Sequence, residues 1–289
     1  MGGVNKHALI DTMAISAGSL FFKKYFRDGV DSVGISEHIR AVKTEVPQLT
    51  AEQEYLIISE TLAGKLESAV KLAQWKGSEV PTIIYHHGAS EIPYDYGFRN
   101  IFPLDKQAIE ANLILIRAPF HGDRKSFMYG MATTERWLAM LAVSVKVIEQ
   151  VIVQLREKSG SSIVVSGTSL GGFIANLHHS FFNSADRYAP LLAGTAMHEA
   201  YLNSVYSKSV AKLALQQPGK IKQQFDFREI FSTQDNSNVF PLLSAYDAII
   251  RFDVQKASYG GLDVSVIEKG HTTGALAYQK LREHILNLV

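Results

Sequence analysis

The clearest capacity for covalent chemistry lies in IVVSGTSLGGFIANL, 163–177, where Gly167, Ser169 and Gly171 spell G-x-S-x-G between a β-branched run and an apolar helical run. A serine on a tight strand-to-helix turn presents its hydroxyl away from the sheet. Flanking glycines remove the Cβ atoms that would strike the neighbouring strand and helix. The pentapeptide alone is a weak signal, and the strand-turn-helix setting gives it weight. A phosphate-cradling glycine turn is the competing reading. It needs G-x-G-x-x-G or G-K-[ST], and here Gly64-Lys65 is followed by Leu66.

A serine hydroxyl attacks a carbonyl only when a histidine takes its proton and a carboxylate fixes that histidine's tautomer. Both are expected downstream, the acid first. Asp247 ends the apolar run VFPLLSAYD, and His271 follows the next run in EKGHTTG, with Gly270 expected to supply the tight turn before it. Asp253 is the alternative acid. Of the other histidines, His178, His179 and His284 ride predicted helices where surface positions are expected, while His198 has no such ready explanation.

A tetrahedral acyl intermediate also needs two backbone N–H donors. Leu170, directly after the nucleophile, is one candidate. Ala89, after the strand-like TIIYHH and Gly88, is the other. His87, His121 and Arg124 are candidate substrate contacts, with Asp123 and Lys125 beside them in the loop RAPFHGDRK. The adjacent His86 and His87 do not read as a metal site, because neighbours on an extended segment point to opposite faces and no carboxylate stands at ligand spacing. Neither a metal nor a cofactor is expected.

These residues need a frame. Short apolar runs at 82–88, 113–122, 162–167, 187–194, 239–247 and 262–271 each end in Gly, Asp or His, and helical segments lie between them. In the clearest, 134–158, Leu138, Leu141, Val145, Ile148, Ile152 and Leu155 form one stripe; another spans 273–288. Continuous apolar strands alternating with amphipathic helices predict an α/β domain with a mainly parallel sheet covered on both faces, its chemistry at the carboxyl ends of the strands. Residues 61–75 are expected as edge strands. Before them, 5–27 reads as a helix on Leu9, Met13, Ala17 and Leu20, and a second helix is expected from Thr50, with Gln53 in a capping box. Residues 1–60 are thus an N-terminal helical extension and 61–289 the main domain. An insertion at about 195–237 is expected as a helical lid, with Leu202, Val205, Tyr206, Leu213, Leu215, Phe225, Phe227 and Phe231 lining an acyl pocket.

Composition narrows the partners. With 29 Lys and Arg against 28 Asp and Glu, no strong field exists to hold nucleic acid or an anionic membrane. The absence of cysteine excludes a thiol nucleophile and thiolate-bound zinc. Asn5, Lys6, His7, Asp11, Lys23 and Lys24 interrupt the apolar residues near the start, so neither a secretory segment nor stable membrane insertion is expected, and a cytoplasmic location is the default. Lys6 stands where a myristoylation signal needs a hydroxyl residue.

Together HHGA, PFHGDRK, GTSLGG, the AYD loop and the GH loop resemble the α/β-hydrolase superfamily over roughly 80–289. P-F-H-G-D-R-K with G-x-S-x-G-G resembles its abhydrolase domain-containing 18 branch. The resemblance implies an α/β-hydrolase fold with an eight-stranded, mostly parallel sheet. Ser169, Asp247 and His271 match the triad, and Ala89 and Leu170 the oxyanion positions. The expected activity is hydrolysis of a carboxylic ester of a small acyl substrate through an acyl-enzyme. An amide, peptide or thioester bond served by the same triad, and a non-catalytic hydrolase-fold binding protein, are the alternatives. Acyl-chain preference and oligomeric state are not legible.

Overall fold

A computed structural model describes residues 5–21, 23–158 and 160–289. In chain order the elements are α1 (Lys6–Phe21), α2 (Ile35–Ala41), β1 (Glu54–Thr61), β2 (Gly64–Gln74), β3 (Thr82–His86), α3 (Tyr96–Ile101), β4 (Asn112–Arg117), α4 (Arg124–Gly130), α5 (Thr134–Lys158), β5 (Ile163–Thr168), α6 (Leu170–Phe181) and β6 (Arg187–Leu191). An insertion follows, holding α7 (Met197–Asn203), a 3₁₀ turn (Val205–Ser209), α8 (Lys212–Leu215), α9 (Pro218–Phe225) and α10 (Arg228–Ser232). The chain closes with β7 (Leu242–Ser244), α11 (Phe252–Ser258), β8 (Ser265–Ile267), α12 (His271–Ala275) and α13 (Tyr278–Leu286).

The strands form one sheet of eight, ordered β1-β2-β4-β3-β5-β6-β7-β8. β2 runs antiparallel to both β1 and β4, and every other pairing is parallel. All side chains of β3, β4 and β5 are buried, as a sheet with helices on both faces demands. The predicted stripe of α5 is buried throughout. This helix is long and apolar enough to cross a membrane, and 78% of its apolar window is buried inside the molecule.

Several expectations change. Residues 54–61 are strand, so no helix starts at Thr50 and the sheet begins before the predicted boundary at residue 60. The β-branched and aromatic run EYLIISET decides it: its alternate side chains pack inward on the sheet, with Ile57 and Ser59 buried. The final helical stretch divides into α12 and α13. α1 stops at Phe21, and Leu9, Met13 and Ala17, which predicted it, face solvent; the side chain of Leu20 lies outside the described residues. The insertion is helical, but Phe225, Phe227 and Phe231 belong to the core and Leu213 is exposed. Leu202, Val205 and Leu215 pack against that core, and only Tyr206 of the eight residues expected to line a pocket does so.

Candidate active site

The turn from β5 to α6 is forced by close approach. A Cβ on Gly171 would lie 2.1 Å from the carbonyl oxygen of His86, and one on Gly167 would lie 2.6 Å from the backbone of Gly171. No other residue fits either place without moving β3. Ser169 between them has φ 58° and ψ −109°, a conformation costly for a side-chain-bearing residue, and its N–H donates to Leu191 O at 2.8 Å. The result is a hydroxyl aimed off the carboxyl edge of the central strand.

Two loops on the same edge meet it. His271 Nε2 stands 2.9 Å from Ser169 Oγ, and His271 Nδ1 stands 2.7 Å from Asp247 Oδ2. The other Asp247 oxygen accepts from the N–H groups of Ile249 at 2.9 Å and Ile250 at 2.6 Å, which fixes the carboxylate's plane. With Nδ1–H donated to Asp247, the Nε2 lone pair faces the serine hydroxyl. Burial pushes the imidazole pKa down, but the Asp247 carboxylate, its hydrogen bond and the charge of Asp11 outweigh that, and the net direction is upward from 6.5. Asp253 is exposed and paired with Arg251. Gly270 has φ −88°, open to any residue, so it is not the turn that needs glycine: a Cβ there would strike Asp11 and His7.

Ala89 and Leu170 both lie on the wall of a cavity over Ser169 of about 470 Å³. Leu170 opens α6, so its N–H has no carbonyl one helical turn back. The Ala89 turn is held from behind. Glu91 accepts from Gly88 N at 2.9 Å and Gly97 N at 2.8 Å, and His121 Nε2 lies 2.8 Å from Ala89 O. The cavity wall is mainly apolar and aromatic, including Phe127, Trp137, Phe173, Tyr201 and Ile250, and α1 contributes Ala14, Ile15, Gly18 and Ser19.

The three expected substrate contacts are elsewhere. His87 is fully buried, its Nδ1–H donating to Gly88 O at 2.8 Å and its Nε2 accepting from Ala118 N at 3.0 Å. His121 is buried behind the Ala89 turn, with Nδ1 2.9 Å from Pro119 O. Arg124 is exposed at the start of α4, away from the cavity wall. The rings of His86 and His87 do not diverge as extended neighbours would; their centroids are 4.6 Å apart because the strand ends at His86. Every ring nitrogen of His86, His87 and His121 meets a protein group. Among the described residues no cluster of His, Asp or Glu could hold a metal. His178 and His179 are buried rather than superficial: His178 bridges Tyr188 and Glu149, and His179 reaches Asp235 O. His284 is partly buried against Phe240 O, and His198 is buried beside Glu199, off the cavity.

Sequence reasoning missed the amino-terminal contribution. Asp11 is fully buried and accepts from the backbone at residues 248, 271 and 272, although nothing in residues 1–60 marked it.

The family model described as alpha/beta hydrolase domain containing 18 matches residues 73–281, which include all three residues of the relay. The chain belongs to this family. Among curated proteins none matches it significantly. The fold is that of acetyl xylan esterase 1 from Thermoanaerobacterium sp. JW/SL YS485, with TM-score 0.54, 10% identity, and coverage of 98% of this chain and 95% of that one. It is also similar to the acylaminoacyl peptidase of Pyrococcus horikoshii, with TM-score 0.56, 12% identity, and coverage of 81% of this chain but only 40% of that protein. A third similar structure is the esterase of Pyrobaculum calidifontis, with TM-score 0.50, 12% identity and coverage of 100% and 95%. Family membership makes this chain an α/β hydrolase. At such identities the structural likenesses speak for the fold alone.

Proposed function

We propose that the protein is a serine hydrolase that cleaves a carboxylic ester of a small acyl substrate, with no metal or cofactor. The unbroken relay Asp247–His271–Ser169, at 2.7 and 2.9 Å, carries this reading. Ser169 Oγ attacks the acyl carbon while its proton passes to His271 Nε2, and Asp247 stabilises the imidazolium through Nδ1–H. The N–H groups of Leu170 and Ala89 receive the oxyanion, each worth about 3 to 4 kcal/mol in the transition state. Collapse breaks the bond to the leaving alcohol, which takes the proton from His271. Water then repeats the sequence on the acyl-enzyme and releases the acid.

The apolar cavity favours an acyl chain over a charged or sugar-like group. A panel of p-nitrophenyl esters from acetyl to octanoyl, run beside matched anilides and thioesters, tests the bond and the chain together. Ester turnover that rises with chain length is expected. Anilides cleaved as fast as esters would shift the reading to amide hydrolysis, and a purified protein inert to every ester and to a fluorophosphonate would end it. His271 must be neutral to act as base and its pKa is raised, so kcat/KM is expected to climb with pH through a midpoint above about 6.5. A flat profile from pH 5 to 8 would contradict the assigned base.

A further inference from the structure

α1 sets one face against the site. His7 and Asp11 are four residues apart, hence neighbours on that face, and Ala14, Ile15 and Gly18 continue it along the cavity wall. Asp11 is fully buried and forms no ion pair among the described residues; a buried carboxylate persists only where hydrogen bonds replace its water. Its oxygens accept from three backbone donors: Oδ2 from His271 N at 2.7 Å and Ala248 N at 3.2 Å, Oδ1 from Thr272 N at 2.8 Å. Two of these donors open α12 and have no partner within that helix. The third belongs to the residue after Asp247. One turn back, His7 Nδ1 lies 2.9 Å from Thr273 Oγ1, and the His7 ring stacks on Tyr246, the residue before Asp247.

We infer that Asp11 is a positioning residue of the relay: its carboxylate ties the loop carrying Asp247 to the loop carrying His271, so that docking of α1 both walls the acyl pocket and completes the hydrolytic site. The inference rests on the serine hydrolase reading. Asp11 touches neither substrate nor the ring of His271; it acts through the backbone on which the imidazole and its acid stand. The 2.7 Å contact between them spans two loops, and a misplacement of about 1 Å at such a site costs about 10²-fold in rate. The charge acts as well. The groups facing the imidazole are Asp247 from the loop after β7 and Asp11 from α1, with His7 behind Thr273 and Lys23 and Glu91 farther round the cavity. Removing Asp11 takes away a negative charge that favours the imidazolium.

Asp11→Asn, Asp11→Ala, Gly270→Ala and Ser169→Ala, each in the full chain, test this on p-nitrophenyl octanoate from pH 5 to 9. Asn keeps the shape of Asp11 but turns an NH₂ toward backbone N–H groups. In Gly270→Ala the added Cβ would enter at 2.7 Å from Asp11 Oδ2 and 2.8 Å from the His7 carbonyl oxygen, so it presses α1 off the loop at both points. For both Asp11 variants kcat is expected to fall about 10²-fold with KM changed less than threefold, and the acid limb of kcat/KM to move to lower pH. Gly270→Ala, whose backbone suits alanine, is expected to lose about tenfold in kcat with the charge retained. Should the Asp11 variants fail to fold, Gly270→Ala decides alone. Asp11→Asn and Gly270→Ala both within twofold of wild type, with the acid limb unmoved, overturn the inference, as does a loss in Gly270→Ala accounted for wholly by its unfolded fraction in circular dichroism. A Ser169→Ala protein with wild-type turnover overturns the hydrolase reading and this inference together. An inert Ser169→Ala beside an unimpaired Asp11→Asn and Gly270→Ala overturns this inference only.

Discussion

Two segments reach His271, one at its ring and one at its backbone N–H: the β5–α6 turn, with Ser169 at its apex, and α1, with Asp11 on its inner face. The first is built by contacts that leave a compositional trace, since only glycine fits where Gly167 and Gly171 approach β3. The second is built by Asp11 through contacts 237 to 261 residues apart, on a helix whose cavity-lining small residues and isoleucine would be ordinary on any surface helix. Steric necessity at short range writes a motif. Hydrogen bonding at long range requires only that an acceptor be in place.

The sharpest contrast between the two is functional. Ser169→Ala removes the oxygen proposed to form the acyl bond and is expected to lower turnover by about 10⁴- to 10⁶-fold, and Asp247→Asn by about 10⁴-fold through the wrong imidazole tautomer, both read as kcat on the preferred ester. Both should leave the thermal midpoint within a few degrees of wild type. An Asp247→Asn enzyme as active as wild type would remove the acid from the relay.

Next in size is a contrast between the amino-terminal helix and the insertion. Phe231 is 1% exposed and packs on the rings of His179 and Tyr259, so Phe231→Ala is expected to cost about 3 to 5 kcal/mol in a urea titration while leaving the preference among ester chain lengths unchanged. A changed preference would return the insertion's core to the acyl pocket.

How much could be read in advance follows the same division. The parallel strands, the stripe of α5, the serine turn and the order Ser169, Asp247, His271 were legible because periodicity and strand-end chemistry are local. The β1 strand was harder: Thr50 and Gln53 imitate a helix cap, and the β-branched run after them, paired with β2 along its whole length, overrides it. The helix stripe Leu9, Met13, Ala17 predicted α1 but named the wrong face, because burial there is decided by Asp11 and its partners rather than by hydrophobicity. His87 and His121 belong to the loop frame, where burial and two carbonyl-rich turns hold them, and nothing in the types of neighbouring residues distinguishes a ring behind a site from one within it.

The histidines supply the next test. Burial holds His38 at about 4 and His86 at about 3, against about 6.5 in the unfolded chain, and also lowers His87, His121 and His178. The unfolded chain therefore takes up protons that the native rings refuse. Their contribution to stability is full above pH 6.5 and is lost as the pH falls toward 3, by about 2 kcal/mol at pH 5 for a ring such as His86. His271, raised, works in the opposite sense, favouring the fold at low pH and losing that contribution as the pH rises through its native pKa. The depressed rings outnumber it, so the urea midpoint is expected to drop between pH 7 and pH 5. An unchanged midpoint would mean that those rings are protonated in the native state.

The smallest expected effect asks whether α1 walls the pocket in solution. Ile15 faces the cavity, and a larger ring at that position takes room from the acyl chain. Each methylene denied burial is worth about 0.8 kcal/mol, so displacing two from an octanoyl chain costs about 1.6 kcal/mol, or roughly 15-fold. For Ile15→Trp the ratio of kcat/KM on p-nitrophenyl octanoate to that on the acetate should fall by about that factor. An acetyl group carries no methylene to displace and serves as the internal reference. If the ratio holds, the acyl chain leaves Ser169 by another route, and the amino-terminal helix touches the relay without touching the substrate.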